Sequence, residues 1–306
     1  MSKKPKIDAY QAVTDKVLEL LEQGIAPWRR PWTGGGIATS LATGKEYGGI
    51  NALVLPLAGY ASRYWLTFHA CRKLGGAVKK GEKSTYAYFF KWWVKEERDP
   101  DTGVVEKKRI PILRVHPLFN LEQCEGLENA KLPKDAFAEP TEKPWNPHVK
   151  SEELLTEAVS ESRIPKLNFD GGGRAFYRPS TDSVHLPKKD SFESPDGFYS
   201  TAFHESAHAT GHSSRLDRKL DSQPVGFGSA GYSREELVAE LAAAFLCGFT
   251  GVDNSGDQLE QSAAYIKGWA SKLKKDKKLI VTAAAQAQKA ANWIRGLHFE
   301  QTKEDS

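Results

Sequence analysis

The chain has 306 residues and a formal net charge of +4, with 40% hydrophobic and 27% charged residues. This composition is typical of a soluble globular protein, and the length allows two domains with separate cores. No apolar run is long enough to span a bilayer, and the N-terminus MSKKPKIDAY has no hydrophobic signal segment. We therefore expect a cytoplasmic protein that has no membrane partner.

The positive charge is concentrated in the first part of the chain. Residues 1–127 contain 20 Lys and Arg against 13 Asp and Glu, whereas the remainder contains 23 against 26. Five of the eight tryptophans also lie in residues 1–127. Because cations attract phosphates and aromatic rings stack on unpaired bases, this composition favours binding of single-stranded nucleic acid. A basic domain with a tryptophan-rich core is an equally good interpretation of the composition alone.

The first predicted element is a helix over residues 8–23, because apolar residues recur there at helical spacing. A glycine and a proline end it. Trp28, Arg29 and Arg30 follow between two prolines, which hold this segment extended. An arginine beside an aromatic ring can hold a phosphate and a base together, so we predict that these three residues contact DNA. The alternative is that the tryptophans of this segment pack into the domain.

A second helix is predicted after the glycine pair Gly48-Gly49, and a β-hairpin follows it. Its first strand is predicted near 84–93, which is aromatic and favours β structure, and its second near 109–118. The aromatic side chains of this hairpin fit a core as well as a contact surface. The DNA contacts predicted here are the lysines of the basic turn before the first strand: Lys79, Lys80 and Lys83.

Residues 129–150 differ in character, since four prolines alternate there with charged residues and no periodicity is visible. We interpret them as a linker between a domain of residues 1–128 and a domain of residues 151–306. The second domain is predicted to begin with these elements: a helix near 151–162 and short strands around 171–177 and 183–187.

The segment Phe203-His204-Glu205-Ser206-Ala207-His208 has the spacing of a metal site. His204 and His208 are four residues apart on a predicted helix and share one face, so both imidazoles can bind a single Zn²⁺. Glu205 then lies beside the position that the metal leaves open for water and is the candidate general base. A surface helix whose polar residues fit the pattern by chance is the competing interpretation.

A catalytic zinc site needs a third protein ligand. A helix that is predicted to be capped by Ser233 carries Glu236 and Glu240 on one face. We assign Glu236 as the ligand and Glu240 as the acid that orients a zinc-bound histidine, and the reverse assignment stays open. The competing interpretation is that Glu235, Glu236 and Glu240 only stabilise the helix N-terminus, a role that suits Glu235 better than Glu240.

Three further residues flank the predicted site. His212 and Asp217 compete with the glutamates as third ligand, although a histidine in the place of His212 is more often a helix-end cap or a substrate contact. Tyr232 is a candidate hydrogen-bond donor to the oxyanion of a tetrahedral intermediate, and packing before the helix is its alternative role. Two further helices, near 256–275 and 278–297, are predicted to be joined by a lysine-rich turn.

Several segments together resemble a known family. The most specific are HESAHATGH and YSREELVAELAAAFLCG in the second half of the chain. Those of the first half are Pro27-Trp28-Arg29, Gly49-Ile50-Asn51, Trp65-Leu66-Thr67-Phe68, Lys80-Gly81-Glu82-Lys83 and Val115-His116-Pro117-Leu118-Phe119-Asn120. In these segments and their order the chain resembles the ArdC-type antirestriction proteins of conjugative plasmids, whose N-terminal domain is shared with TraC-type plasmid primases.

The resemblance implies an α+β protein of two domains, a basic α+β domain that binds single-stranded DNA and a mainly helical zincin-like metallopeptidase domain. It implies metal-ligand roles for His204 and His208 and a general-base role for Glu205, because these residues match HExxH. It also implies protection of incoming plasmid DNA from host restriction during conjugation. Zn²⁺ is the expected metal, and Mn²⁺ or Co²⁺ also fits a donor set of two histidines and one glutamate.

The sequence leaves three functions open. In the first, single-stranded DNA brings a zinc peptidase to a protein substrate, such as a restriction enzyme or another DNA-bound protein. In the second, the protein cleaves proteins that are crosslinked to DNA. In the third, it shields DNA without catalysis and uses its metal structurally.

Overall fold

The computed structural model describes residues 8–23, 25–29, 37–98, 105–127, 130–136, 147–220, 230–254 and 263–297. Its helices in chain order are α1 (Ala9–Glu22), α2 (Ile50–Val54), α3 (Phe68–Lys73), α4 (Pro147–Ser160), α5 (Pro195–Ala209), α6 (Ala230–Thr250), α7 (Ala263–Lys275) and α8 (Leu279–Ile294). Its strands are β1 (Thr39–Ser40), β2 (Tyr64–Leu66), β3 (Ala77–Val78), β4 (Thr85–Arg98), β5 (Val105–Asn120), β6 (Cys124–Glu125), β7 (Leu167–Asn168), β8 (Phe176–Arg178) and β9 (Ser183–His185). The long strands lie in the first half and most long helices in the second, which confirms the predicted α+β class.

The first helix forms where its sequence pattern predicts it. The side chain of Asp8 caps α1 by accepting hydrogen bonds from the backbone N–H groups of Tyr10 at 3.1 Å and Gln11 at 3.2 Å. The apolar positions Val13 and Val17 are buried and face the packed interior. The prediction of a helix over 8–23 is therefore confirmed.

A four-stranded sheet in the order β1-β2-β5-β4 forms the centre of the N-terminal part. β4 and β5 make a long antiparallel hairpin, whose register runs from Thr85 opposite Leu118 to Arg98 opposite Val105. The predicted hairpin is confirmed, and its ladder of paired residues continues beyond the predicted strand ends. A second pair, β3 with β6, lies beside the sheet.

Asn51 in α2 fixes the hairpin to the rest of the sheet domain. Its Nδ2 donates a hydrogen bond to the carbonyl oxygen of Tyr88 at 2.8 Å, and its Oδ1 accepts one from the Tyr88 N–H at 2.7 Å. Because β4 is the edge strand of this sheet, its outward backbone groups need partners other than a neighbouring strand. The side-chain amide of Asn51 supplies a donor to the carbonyl oxygen of Tyr88 and an acceptor for its N–H group.

A small sheet in the order β7-β9-β8 precedes the long helices of the second half. The predicted strands around 171–177 and 183–187 correspond to β8 and β9, which pair antiparallel. The sequence pattern does not predict β7, because two residues are too few for an alternating pattern. α4 begins at Pro147, inside the predicted linker of residues 129–150, and proline suits the first turn of a helix.

The helices α5, α6 and α8 pack against one another. α6 begins at Ala230, so the prediction that Ser233 caps this helix is wrong: Ser233 lies inside it. The capping pattern of a serine followed three residues later by a glutamate therefore coincides here with a helix interior. None of the helices among the residues that the structure describes combines the length and apolarity that a bilayer span requires.

One apolar cluster includes side chains from both predicted domains. It contains Val13 and Leu53 from the first part and Leu237 and Ile280 from the second. The first helix accordingly packs against α7 and α8 as well as against its own domain. The boundaries at 128 and 150 stay a prediction, and the parts that they separate share a core.

Trp28 belongs to this cluster and has no exposed surface. Its ring packs edge-on against Trp269 with 6.0 Å between ring centroids, and its carbonyl oxygen accepts a hydrogen bond from Asn254 Nδ2 at 2.9 Å. The prediction that Trp28 contacts DNA is therefore wrong in this structure, because a fully buried ring presents no face to a base. The alternative of a packed tryptophan is the one observed.

We expect Trp28→Ala to lower the free energy of unfolding by about 3–5 kcal/mol, because it leaves a cavity in the core. Urea denaturation followed by circular dichroism measures this loss. Phe68→Ala is the matched control, since Phe68 is 55% exposed and its removal leaves no buried cavity. Equal, small decreases in the free energy of unfolding in the two variants would show that the ring of Trp28 does not stabilise the core.

Candidate metal centre

Two neighbouring helices supply the residues of the site. α5 begins after Ser194, whose Oγ accepts a hydrogen bond from the Gly197 N–H at 3.1 Å, and has proline in its first position. His204 and His208 lie one turn apart in its C-terminal half. α6 packs against α5 and carries Glu236.

The three side chains converge on one point. His204 Nε2 and His208 Nε2 are 3.1 Å apart. The Glu236 carboxylate oxygens lie 3.6 Å from His204 Nε2 and 3.4 Å from His208 Nε2. A tetrahedral ion with bonds of about 2.0–2.1 Å separates its ligand atoms by roughly 3.3 Å. The residues therefore fit a divalent cation with little movement.

This triad is the one group of three metal-ligating side chains found among the described residues, and its ligand atoms all lie within 4.8 Å of one another. The structure thus brings Glu236 to the two histidines. Burial lowers the pKa of His204, but the hydrogen bond to Glu236 raises it above its usual value, and the charge of Glu240, one turn further along α6, adds a smaller contribution. The orienting role of Glu240 stays a prediction.

Glu205 is buried beside the triad, with 8% of its surface exposed. Its charge acts on both imidazoles and contributes to the raised pKa of each. The side chains of His204 and Glu236 are 20% and 26% exposed, so the triad is reached from solvent on one side. A carboxylate at this place can exchange a proton with a molecule that enters there.

Glu235 orients His208, a role that the sequence did not reveal. Its Oε1 lies 3.3 Å from His208 Nδ1, the ring nitrogen that faces away from the triad. Arg218 holds the same carboxylate, with Nε 3.0 Å from Oε2 and Nη2 2.6 Å from Oε1. A carboxylate on the distal nitrogen fixes the tautomer and ring orientation of a ligating histidine. The competing interpretation from the sequence, in which Glu235 only stabilises a helix N-terminus, does not fit, because α6 begins five residues earlier and the carboxylate contacts His208 Nδ1.

Arg218 also closes the C-terminal end of α5. Its Nη2 donates to the carbonyl oxygen of Ala207 at 2.8 Å, and its Nη1 donates to Thr210 Oγ1 at 2.7 Å. A Cβ atom at Gly211 would lie 2.8 Å from Arg218 Nη2, so the guanidinium reaches this end because residue 211 is glycine. One side chain therefore connects the end of the histidine helix to the acid that orients His208.

The imidazole and carboxylate groups of the triad shift each other's pKa values. Burial would lower the pKa of His208, but hydrogen bonds to Glu235 and Glu236 outweigh it, so the pKa is well above its usual value. Burial would raise the pKa of Glu236, and the two imidazoles lower it instead. Both shifts reflect attraction between imidazole and carboxylate groups, and because a metal ligand must be deprotonated, binding of a divalent cation should release protons from this cluster.

His212 and Asp217 lie outside the triad. His212 Nδ1 is 2.8 Å from Ser214 Oγ in the turn that follows α5, and the exposed Asp217 pairs with Lys219. They are not brought to the two histidines as third ligands. Tyr232 lies in the first turn of α6. The predicted substrate or oxyanion contacts of His212 and Tyr232 stay predictions.

Comparisons with known proteins decide the family. Residues 7–119 match the N-terminal domain of anti-restriction factor ArdC, and residues 156–286 match a zincin-like metallopeptidase. The metal-free crystal structure of the antirestriction ArdC protein from plasmid R388 is similar over 95% of this chain and 98% of that one, with 35% identity and a TM-score of 0.73. The chain belongs to the ArdC antirestriction family.

Other relatives extend this result. The Mn(II)-bound structure of R388 ArdC matches with 33% identity and a TM-score of 0.70, again over 95% of this chain and 98% of that one. The uncharacterised protein y4eC of Sinorhizobium fredii is 32% identical over 94% of this chain and 91% of its own length. Two TraC primases of Escherichia coli are 34% and 36% identical over 98% and 97% of the chain, which spans only 21% and 28% of their lengths. The zincin-like match and the Mn(II)-bound relative both support a divalent cation at the triad of this ArdC family member.

The predicted DNA contacts of the ArdC domain lie at separate places. Lys79 is exposed, and its Nζ donates to the carbonyl oxygen of Glu122 at 2.8 Å. Lys80 and Lys83 are exposed in the same turn before β4. Their contacts with DNA stay predictions. So does that of Arg29, which ends a short 3₁₀ turn (Pro27–Arg29). Arg30 lies outside the described residues.

We expect His204→Ala to abolish stoichiometric metal binding, because it removes one of three ligands. Elemental analysis of the purified protein after dialysis against Zn²⁺ or Mn²⁺ measures the bound metal. His69→Ala is the control, since His69 is an exposed histidine on α3 away from the triad. Full metal content in His204→Ala would place the metal elsewhere.

Glu235→Gln should weaken metal affinity by about 10–100-fold, the usual cost of losing a carboxylate behind a ligating histidine. Competition with a coloured chelator measures this affinity. Glu193→Gln, at an exposed glutamate before α5, removes the same charge without touching the triad. An affinity that Glu235→Gln leaves unchanged contradicts the orienting role.

Proposed function

We propose that this chain is an antirestriction protein whose N-terminal domain binds single-stranded DNA and whose metal centre is a working peptidase site. The observation that carries this proposal is the meeting of His204, His208 and Glu236 around one point, with the buried Glu205 beside them. Two imidazoles, one carboxylate and an adjacent carboxylate are the parts of a hydrolytic metal site. Protection of incoming plasmid DNA during conjugation is the biological role that we propose for it in the cytoplasm.

The arrangement favours a catalytic role for the metal over a structural one. Structural zinc sites are closed by four protein ligands, whereas catalytic sites use three and leave a position for water or substrate. The triad provides three, and the partial exposure of His204 and Glu236 gives a substrate access to it. These features support catalysis at this centre.

Each residue of the centre has a separate role in the proposed peptide hydrolysis. A bound divalent cation supplies Lewis acidity, which polarises a carbonyl group and favours ionisation of water. His204, His208 and Glu236 would hold that cation. The Glu205 carboxylate would take a proton from the attacking water and deliver it to the leaving amine of a peptide. Glu235 would keep the ring of His208 in its ligating orientation.

Zn²⁺ is the metal that we propose for this centre. A set of two imidazoles and one carboxylate suits Zn²⁺, and Mn²⁺ or Co²⁺ also fits the same donors. The R388 relative in its Mn(II)-bound form supports this range of metals. The balance between metals depends on availability as much as on geometry.

Single-stranded DNA is the partner that we propose for the first domain, and a DNA-bound protein is the proposed substrate. Residues 1–127 contain 20 basic and 13 acidic residues, and this net positive charge supports attraction to phosphates. Family membership with an ArdC N-terminal domain and similarity to TraC primases support a DNA ligand. DNA would then bring the peptidase site to proteins that occupy the same strand.

We expect Glu205→Gln to retain metal and single-stranded DNA binding and to lose cleavage by about 10²-fold or more, because the proton carrier is absent. Incubation with a histone, Zn²⁺ or Mn²⁺ and single-stranded DNA, followed by gel electrophoresis, measures cleavage. Chelation by EDTA should stop cleavage by the parent chain, and added metal should restore it. Glu193→Gln serves as the control variant.

The outcomes distinguish the open functions. Cleavage that persists in Glu205→Gln discards the proposed mechanism. If neither protein cleaves while both protect DNA from a restriction enzyme in vitro, the protein shields DNA and its metal is structural. If only a DNA–protein crosslink is cut, the substrate class is the crosslinked protein.

A further inference from the structure

We propose that Phe89, Arg114, His116 and Tyr47 form the surface on which the hairpin β4–β5 binds single-stranded DNA, with bases stacked on Phe89 and a phosphate held by Arg114. These four residues are called the stacking platform below. The inference rests on the proposed function in one respect, because it takes single-stranded DNA as the ligand. It replaces Trp28, which is buried, as the aromatic part of the site.

The rings of the platform form one cluster. Phe89 lies between two other rings, with its centroid 5.2 Å from that of His116 and 6.3 Å from that of Tyr47. Phe89 is nevertheless 41% exposed, and His116 is also exposed. Neighbouring rings hold Phe89 in place at the surface while part of it stays open. A fixed, exposed ring is what a base needs for stacking, since little conformational entropy is lost on binding.

Strand alternation places the platform on one face of the hairpin. Arg114 is the cross-strand partner of Phe89, and His116 is the partner of Ala87, two residues before Phe89 on β4. Residues two apart on a strand share a face, so Phe89, Arg114 and His116 lie side by side. Ala87 on the same face is buried in a small core with Leu118. On this face of the hairpin, the side chains of Ala87 and Leu118 are therefore buried, and the exposed platform begins next to them.

Charge favours nucleic acid as the occupant of this face. The two strands together contain seven Lys and Arg and three Asp and Glu. Arg114 is exposed and forms no ion pair with any residue that the structure describes. A guanidinium without a carboxylate partner, directly opposite an exposed ring, can bind a phosphate while the ring binds the adjoining base. A protein partner that covered this face without a carboxylate opposite Arg114 would leave the guanidinium buried and unpaired, which is costly.

Two properties of DNA binding separate the roles of the ring and the cation. Phe89→Leu keeps an apolar side chain but loses the aromatic face, so affinity for single-stranded DNA should fall on the order of tenfold, whereas Phe89→Trp should retain it. Arg114→Ala should weaken DNA binding. It should also reduce the magnitude of the slope of log affinity against log salt concentration by roughly 0.7, the value for one phosphate contact on a single strand. Phe89→Leu should leave that slope unchanged.

The chain offers matched controls for both variants. Tyr86 is 43% exposed on the same strand, three residues from Phe89 and therefore on the opposite face. Tyr86→Leu should leave DNA affinity unchanged. Arg174 is an exposed arginine of the second domain, and Arg174→Ala should leave both affinity and salt slope unchanged. Thermal unfolding of each full-length variant checks that the fold is retained.

The measurement is fluorescence anisotropy of a fluorescein-labelled oligothymidylate titrated with the full-length protein over a range of salt concentrations. Wild-type binding together with weakened binding by Phe89→Leu and Arg114→Ala supports the platform. Wild-type binding with unchanged affinity in both variants overturns the platform and leaves the proposed DNA function intact. No binding by the wild type overturns both. A change in self-association of the variants by ultracentrifugation, without a change in DNA affinity, identifies the face as a contact between copies and also overturns the platform.

Discussion

The metal centre depends on the close approach of two helices, one carrying both histidines and the other carrying Glu236. Small side chains make this approach feasible, because both helices bury several alanines and pack against each other. Ligand atoms separated by 3.1–3.6 Å tolerate little sliding of one helix along the other. The alanine-rich packing of α6 is therefore as much a part of the site as its three ligands.

A second constraint is electrostatic. Glu205, Glu235 and Glu236 are brought together near two imidazoles, and buried carboxylates are costly without partners of opposite charge. Arg218 pairs with Glu235, and the other two share the charge of the imidazolium groups or of a cation. The acidic surroundings therefore select for a divalent ion, because its charge balances groups that a neutral ligand would leave unpaired.

Much of the site was predictable from local spacing, and the rest was not. The positions of His204, Glu205 and His208 follow from helix periodicity within six residues. The role of Glu235 depends on Arg218, which reaches α5 only through the turn at Gly211, and no pattern in the sequence indicates that approach. Trp28 was equally compatible with a core and a surface, and its contact with Trp269, distant in sequence, decides for the core. For both residues, tertiary contacts choose between two states that the local sequence permits equally.

The shared core constrains how DNA binding and catalysis are related. The Gly49 N–H donates to Gln288 Oε1 at 2.9 Å, and Arg295 pairs with Glu46 at 2.9 Å, so α8 is joined to the segment that carries Tyr47 of the stacking platform. α8 also packs against α5 and α6, which hold the metal ligands. If the proposed function holds, single-stranded DNA at the hairpin and a protein substrate at the triad would therefore bind to parts of one packed core. Binding of both by one molecule would raise the local concentration of the DNA-bound substrate at the triad, and this effect would require no rearrangement of the metal ligands.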